Sequence, residues 1–502
     1  MLKMVDGTGI IGVDMVCPLG ATVSPPQPPN YDNIEMEGVG SLVLPNSLKA
    51  PIERVELIGT SVQGENPAPD NPQEIKSAGR KSKNLFNIAD LRVGQVQKDG
   101  TINEKSTYCR TAILDVPQDG KYRITFAENN DYNMLYFAEM YTNGVYSQPY
   151  VRVYAGNSNS LIALKKGENI LSFNTYNDNM QIDFTTDHNI MIAAESETLD
   201  YEPYGYLLDV KVTGKNLFDR EKARDITNWI VRDGDGYAKF PIRVGKGNKV
   251  TFSYMEKPTA GKGFYLGITQ SEMSPISAWL YHNVEISLSN NKFTVVATED
   301  YIYLACTKIG IQKFADTIQT LQVEIGSEQT PYKPYTEQTV QIALDEPLRG
   351  IVDYKDTITK DGVVRKILEA PIAEYLQNAI YGNPGEKYIS SSVPKCYINY
   401  DKNKCMSNIG FASNAENKKY IPIPKLESFL IKVSDDDTVE TIKEKMKDVI
   451  VTYTINEPTT EPLPESVQAQ FAALHSENGT THVFVESGEV PCGIKLTYRK
   501  EK

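Results

Sequence analysis

The chain has 502 residues, 40% hydrophobic and 23% charged, which is close to the globular average and excludes wholesale disorder; about three or four domains fit this length. Its 52 basic and 65 acidic side chains give a net charge of −13, which repels a phosphate backbone, so nucleic acid is not an expected partner. No run of 18 or more apolar residues reads as a membrane span and no signal peptide is evident, so synthesis in a cytoplasm without membrane insertion is expected.

Residues 1–50 read as an N-terminal attachment arm, because Pro25, Pro26, Pro28 and Pro29 favour a stiff extended chain. Gly7-Thr8-Gly9-Ile10-Ile11-Gly12 spells a dinucleotide fingerprint. It lacks the preceding strand and the following helix that a pyrophosphate site needs, so no cofactor is expected. Residues 51–82 read as a strand, Ile52 to Ile58, followed by a turn-rich connector.

One module of about 120 residues is then written twice, as 83–205 and 206–335. Lys83-Asn84-Leu85-Phe86-Asn87 returns as Lys215-Asn216-Leu217-Phe218-Asp219. The endings align without a gap, with Ile190, Ile192, Tyr201, Pro203 and Tyr204 falling on Leu321, Val323, Tyr332, Pro334 and Tyr335. Inside each copy the apolar period is two: Tyr122, Ile124 and Phe126 share a face in the first, and Val250, Phe252 and Tyr254 in the second. Met180 to Phe184 alternates, and so does Leu321 to Ile325, whose pattern places Gln322 and Glu324 outward. Gly, Asn and Asp clusters separate the strands, as tight turns require. The predicted fold class is mainly β, with tandem antiparallel β-sandwich (jelly-roll) modules. Thirty tyrosines against 15 phenylalanines suit strands and contact surfaces.

Residues 336–502 read as a C-terminal β-rich α+β domain with a hairpin at Asp361-Gly362 and one helix near 437–448. That helix carries Val439, Ile442 and Met446 on one face and is capped by Asp437 and Glu440. Strands are predicted at 449–454, 482–486 and 494–498.

Catalytic and metal signatures fare poorly. Asp233-Gly234-Asp235-Gly236 lacks the closing glutamate of a calcium loop, and Cys396 and Cys405 are spaced too widely for a zinc half-site. The six cysteines are scattered singly and read as free thiols. The histidines His188, His282, His475 and His482 lie near no recognisable nucleophile, so the expected protein is not an enzyme and holds no metal.

The bracketing words of the repeat, Lys-Asn-Leu-Phe and Gln-Val-Glu-Ile-Gly-Ser followed by Thr-Pro-Tyr-Lys-Pro-Tyr, resemble those of carbohydrate-binding-like jelly-roll modules in tail and minor structural proteins of bacteriophages of Gram-positive hosts. The second copy matches through Gln322 to Tyr335; in the first, Ala194 and Glu195 replace Ile325 and Gly326. The resemblance implies a virion protein of a tail tip, baseplate or fibre, attached to other virion proteins through its N-terminal arm, homotrimeric, and binding host cell-surface polysaccharide. A purely structural decoration is the alternative, and a polysaccharide depolymerase a third. Sugars stack on flat side chains, which makes Trp229, Trp279 and Tyr281 the glycan-binding candidates. Tyr201, Pro203, Tyr204, Tyr332, Pro334 and Tyr335 are expected to lock each module's end in place.

Overall fold

The computed structural model describes residues 5–6, 9–10, 31–46, 49–105, 109–125, 134–154, 160–175, 190–197, 200–231, 236–255, 266–271, 281–283, 292–307, 311, 318–413 and 418–501. The protein is mainly β, and among the described residues every strand pairing is antiparallel. The strand expected at Met180 to Phe184, residue Phe126 and the turn expected at Asp233 to Asp235 lie outside the described residues.

A two-sheet sandwich forms the hub. One sheet has seven strands in the order Tyr31–Val39, Gly493–Glu501, Ile52–Ile58, Thr357–Thr359, Gly362–Pro371, Ile450–Glu461 and Cys405–Ser407. The other runs Glu337–Leu344, Tyr206–Thr213, Gly479–Glu486 and Ser41–Asn46, with Arg80–Lys81 pairing the start of Tyr206–Thr213. Alternation builds the layer between them: Val340 and Ile342, Leu208 and Val210, Leu44, Leu57, Ile358 and Leu496 all point inward and are fully buried. Helix Glu465–Ala473, which carries no strong sequence signal, closes one edge with Phe471.

This hub overturns the expected division of the chain. Residues 1–50 are not simply an arm, because Tyr31–Val39 and Ser41–Asn46 supply a strand to each hub sheet. In 51–82 the strand expected at Ile52–Ile58 is present with those bounds, but it lies inside the seven-stranded sheet and does not belong to a connector. Tyr206–Thr213 belongs to the hub rather than to the second module, and 336–502 is no separate domain, since its strands pair with 31–58 and 206–213. The physical cause is common to all of these. A half-apolar strand must find partners, and here they stand hundreds of residues away, where local pattern does not reach.

The two modules are insertions into the five-stranded hub sheet. Module 1 leaves at Lys81 and returns at Tyr206, and these two residues are paired; module 2 leaves at Thr213 and returns at Glu337, again a pair. The roots therefore sit at opposite ends of one eight-residue strand.

Each module is itself a sandwich, and the strand orders correspond. Module 1 sets Gly167–Thr175 between Met134–Thr142 and Cys109–Val116, facing a sheet with Gly120–Thr125 between Leu161–Leu164 and Met191–Ala194. Module 2 sets Tyr301–Thr307 between Leu266–Thr269 and Tyr237–Arg243, facing Lys249–Tyr254 between Lys292–Val296 and Leu321–Ile325. Register agrees as well: Ile124 pairs with Ile192, and Phe252 with Val323, the residue aligned with Ile192 in the repeat. Their cores are separate, around Leu114, Ile124, Phe137 and Leu171 in one and Val250, Phe252, Ile302 and Leu304 in the other.

A smaller unit, residues 372–449, is inserted between the hub strands Gly362–Pro371 and Ile450–Glu461 and lends Cys405–Ser407 to the hub sheet. Its sheet runs Leu376–Asn383, Glu386–Ser391, Phe429–Val433 and Pro422–Pro424, and helix Val439–Met446 buries Ile442 and Met446 against it. The cap differs from expectation. Thr438 and Thr441 exchange the reciprocal bonds, while the Asp437 carboxylate accepts from Ser434 N, the Tyr420 hydroxyl and Lys445. Burial raises the Asp437 pKa less than those donors lower it, leaving it below the usual carboxylate value.

Candidate functional site

The repeated Lys-Asn-Leu-Phe word has one structural job, performed identically twice. Asn84 is 3% exposed; its amide donates to Ile190 O and Glu202 O, both at 3.1 Å, and its carbonyl accepts from Phe86 N at 2.9 Å and Ile192 N at 3.0 Å. Asn216, 1% exposed, donates to Leu321 O at 3.3 Å and Lys333 O at 2.9 Å and accepts from Phe218 N at 3.1 Å and Val323 N at 3.0 Å. One side chain thus ties the opening loop, the last strand and the Tyr-x-Pro-Tyr segment together. An amide suits this place because it alone offers two donors and two acceptor lone pairs on a neutral, compact group.

The closing residues lie where that clasp needs them, though their tyrosine rings hold less than expected. Tyr201, Pro203 and Tyr332 are half-buried, Pro334 is exposed and Tyr204 is 37% exposed. The Tyr332 hydroxyl donates to Gln319 O at 3.2 Å, and the Tyr335 hydroxyl donates to Glu337. Burial and the neighbouring Glu337 carboxylate push the Tyr335 phenol upward.

Gln322 and Glu324 do not face outward. They are 1% and 4% exposed, because the returning segment lies across their face of the strand. Thr330 donates to Glu324 through its amide at 3.0 Å and its hydroxyl at 2.6 Å, and Lys333 N donates to Gln322 Oε1 at 2.9 Å. Module 1 has Met191 and Ala193 at the aligned places and replaces these bonds by apolar packing.

Of the glycan-binding candidates, Trp229 is 5% exposed in the module 2 core; its ring centre is 5.3 Å from that of Phe240, and Nε1 donates to Ala223 O at 2.9 Å. A ring held this way offers no face to a sugar, which corrects that expectation. Trp279 lies outside the described residues, and Tyr281 begins the edge strand Tyr281–Asn283. The glycine fingerprint lies mostly outside them too; Val5–Asp6 and Gly9–Ile10 pair as strands.

Module 2 also leans on the hub. Phe484 of the hub sheet joins the module 2 core, and the Arg243 guanidinium lies 5.2 Å over its ring. Beside it His482 is 1% exposed, stacked on Phe484 with both ring nitrogens unpartnered, and burial lowers its pKa to about 4. Inside the hub, fully buried Asp356 accepts from Arg349 N, Lys366 N and Ile367 N and pairs with Arg365 at 3.3 Å. Burial raises its pKa despite those donors.

A cleft of about 690 Å³ lies at the root of module 1, between Lys76, Arg80, Tyr206, Glu369 and Glu489. Cys109, Cys306, Cys396, Cys405 and Cys492 are buried free thiols; burial pushes Cys396 and Cys492 up to about 12. Among the described residues no three His, Cys, Asp or Glu side chains are grouped to hold a metal, and no helix is long and apolar enough to cross a membrane.

A set of side chains that sequence reading missed stands on the small unit: Tyr397 and Tyr400 are exposed, with Lys404 4.5 Å from the Tyr397 ring centre and 5.2 Å from that of Tyr354. The signal available was the lysine density of residues 395–432, seven lysines against three carboxylates in an acidic chain.

No family model matches the chain, and no curated protein is similar in sequence. Among solved structures, the arabinofuranosyltransferase AftD from Mycobacteria aligns at a TM-score of 0.14 and 9% identity, over 93% of this chain and 36% of that one. This chain thus spans little more than a third of its length. The infectious bursal disease virus VP2 subviral particle aligns at 0.09 and 8% identity, over 95% and 83%. Similarities this faint carry no argument about either fold or function.

Proposed function

We propose that this protein is a non-catalytic virion component of a phage tail tip, baseplate or fibre, which presents its sandwiches to polysaccharide on a host cell surface. The observation that carries the reading is the mounting of two sibling sandwiches at the two ends of one hub strand, each closed by the same asparagine clasp. Duplicating a unit while keeping its closure repeats a surface, and repeated surfaces serve multivalent contact. The phage assignment rests on the resemblance of the bracketing words. Attachment to other virion proteins falls to residues before Tyr31, and a trimer supplies further copies of each surface.

The burial of Trp229 favours a second reading, a decoration that packs against neighbouring virion proteins without touching sugar. Two measurements separate them. Antibody to this chain should label one end of the tail in electron micrographs, and the purified protein should adsorb to Gram-positive host cells. Labelling of the particle without adsorption supports the decoration; unlabelled particles refute both.

A further inference from the structure

We propose that the face carrying Tyr354, Tyr397, Tyr400, Lys404 and Lys425 binds an anionic polysaccharide, one whose sugars bear phosphate or carboxylate groups. The inference rests on the polysaccharide-binding reading and moves the contact from the two modules to the 372–449 unit and the adjoining hairpin, Gly350–Ile351 paired with Tyr354–Lys355.

Three independent features meet there. The first is aromatic exposure: Tyr400 is 62% and Tyr397 39% exposed, flanked by Leu426 at 46%. A tyrosine left this open is wasted on the core but offers a flat face for the C–H side of a sugar ring.

The second is rigidity. The Lys404 ammonium lies 5.2 Å from the Tyr354 ring centre and 4.5 Å from that of Tyr397, and Lys425 lies 5.6 Å from Tyr400. Left-handed backbone at Val352, Lys395, Asn399 and Tyr400 (φ +48, +53, +52 and +62°) suits asparagine but is costly for lysine and tyrosine, and for valine most of all. The 395–400 stretch is held by Asn456 N donating to Lys395 O at 3.2 Å, Tyr397 N to Thr454 O at 2.8 Å, Asn399 N to Leu426 O at 3.1 Å and Tyr400 N to Lys425 O at 3.2 Å, and Val352 by the pairing of Ile351 with Tyr354 around it. Four such residues on two adjoining loops set the aromatic rings in fixed places before any ligand arrives.

The third is charge. A chain of net −13 concentrates seven lysines against three carboxylates in residues 395–432, and two of those lysines stand on the aromatic face. Neutral sugars gain nothing from this, whereas a phosphate or uronate beside each stacked ring does.

The test measures binding of the full chain to a polyol-phosphate polymer, a polyuronate, a neutral glucan and a single-stranded oligodeoxynucleotide, at low and moderate salt. One or both anionic polysaccharides should bind, more weakly as salt rises, with the stronger of the two showing which acid is read. Tyr400→Ala and the pair Lys404→Gln with Lys425→Gln should each weaken binding about tenfold. Tyr400→Phe and the arginine versions of both lysines should restore it, which separates the contact from any loss of fold. The proposal is overturned if the variants bind as the parent does, if the glucan binds equally well, or if the oligonucleotide outcompetes both polysaccharides. Host-cell adsorption that survives these variants sinks this site alone, while absent adsorption by the parent protein sinks the underlying reading.

Discussion

Replacing Asn216 by alanine removes four hydrogen bonds at once, to Leu321 O, Lys333 O, Phe218 N and Val323 N. The side chain is 1% exposed, so water does not readily replace it. A buried donor or acceptor left unpaired costs about 1–3 kcal/mol, and partial relaxation of four such groups brings the expected loss to about 3–5 kcal/mol. The loss should be local, because module 2 has its own core and a root of paired strands. Hydrogen exchange read by mass spectrometry should show faster exchange across 217–218 and 321–335, with the hub strands and module 1 unchanged. Asn84→Ala should do the same to 85–86 and 190–204 only. A loss below about 1 kcal/mol, or exchange that spreads to the sibling module, would refute the clasp as the element that closes each sandwich.

Three further outcomes are expected. Trp229→Ala should destabilise module 2 by about 3–5 kcal/mol in denaturant titration, while Trp229→Phe, which keeps most of the packing, should leave polysaccharide retention unchanged. Asp356→Ala strands the buried Arg365 charge and three backbone N–H groups and should cost the hub about 3–5 kcal/mol; a smaller loss would mean that water enters to replace the carboxylate. His482 is neutral when folded, with a pKa of about 4 against 6.5 for the free side chain, so the unfolded chain takes up a proton first as pH falls. Its penalty is absent above about pH 6.5, grows on the way down and is complete below about pH 4, where it reaches roughly 3 kcal/mol. Melting curves of the parent and of His482→Leu should therefore diverge as pH is lowered from 7 to 4, the parent losing more.

What could be read from the chain was whatever is written locally. Period-two alternation placed Gly120–Thr125, Lys249–Tyr254 and Leu321–Ile325 correctly, and the repeated words marked two sandwiches. The helix expected near 437–448 was also visible, because Ile442 and Met446 lie on one face, though it runs only Val439–Met446. Sheet partners were not visible: nothing in Tyr31–Val39 says that it will pair with Gly493–Glu501. Gln322 and Glu324 look like solvent-facing residues because alternation reports one face and is silent about a tail that later covers the other. Trp229 attracted a ligand reading by its chemistry alone, and its bond to Ala223 O shows how a core satisfies an indole. The Tyr397, Tyr400 and Lys404 face escaped notice because its parts are assembled from a 3-10 turn, a loop and the hairpin that carries Tyr354.

Pairing Lys81 with Tyr206, and Thr213 with Glu337, makes each module an oversized hairpin turn as far as the hub sheet is concerned. The entropy of closing such a loop rises only with the logarithm of its length, about 0.6 kcal/mol per doubling, so the sheet is nearly indifferent to what is spliced between those residues. Each module is in effect an exchangeable cassette. A lineage could swap, lose or redouble one by recombination at its two adjacent ends and still inherit an intact hub.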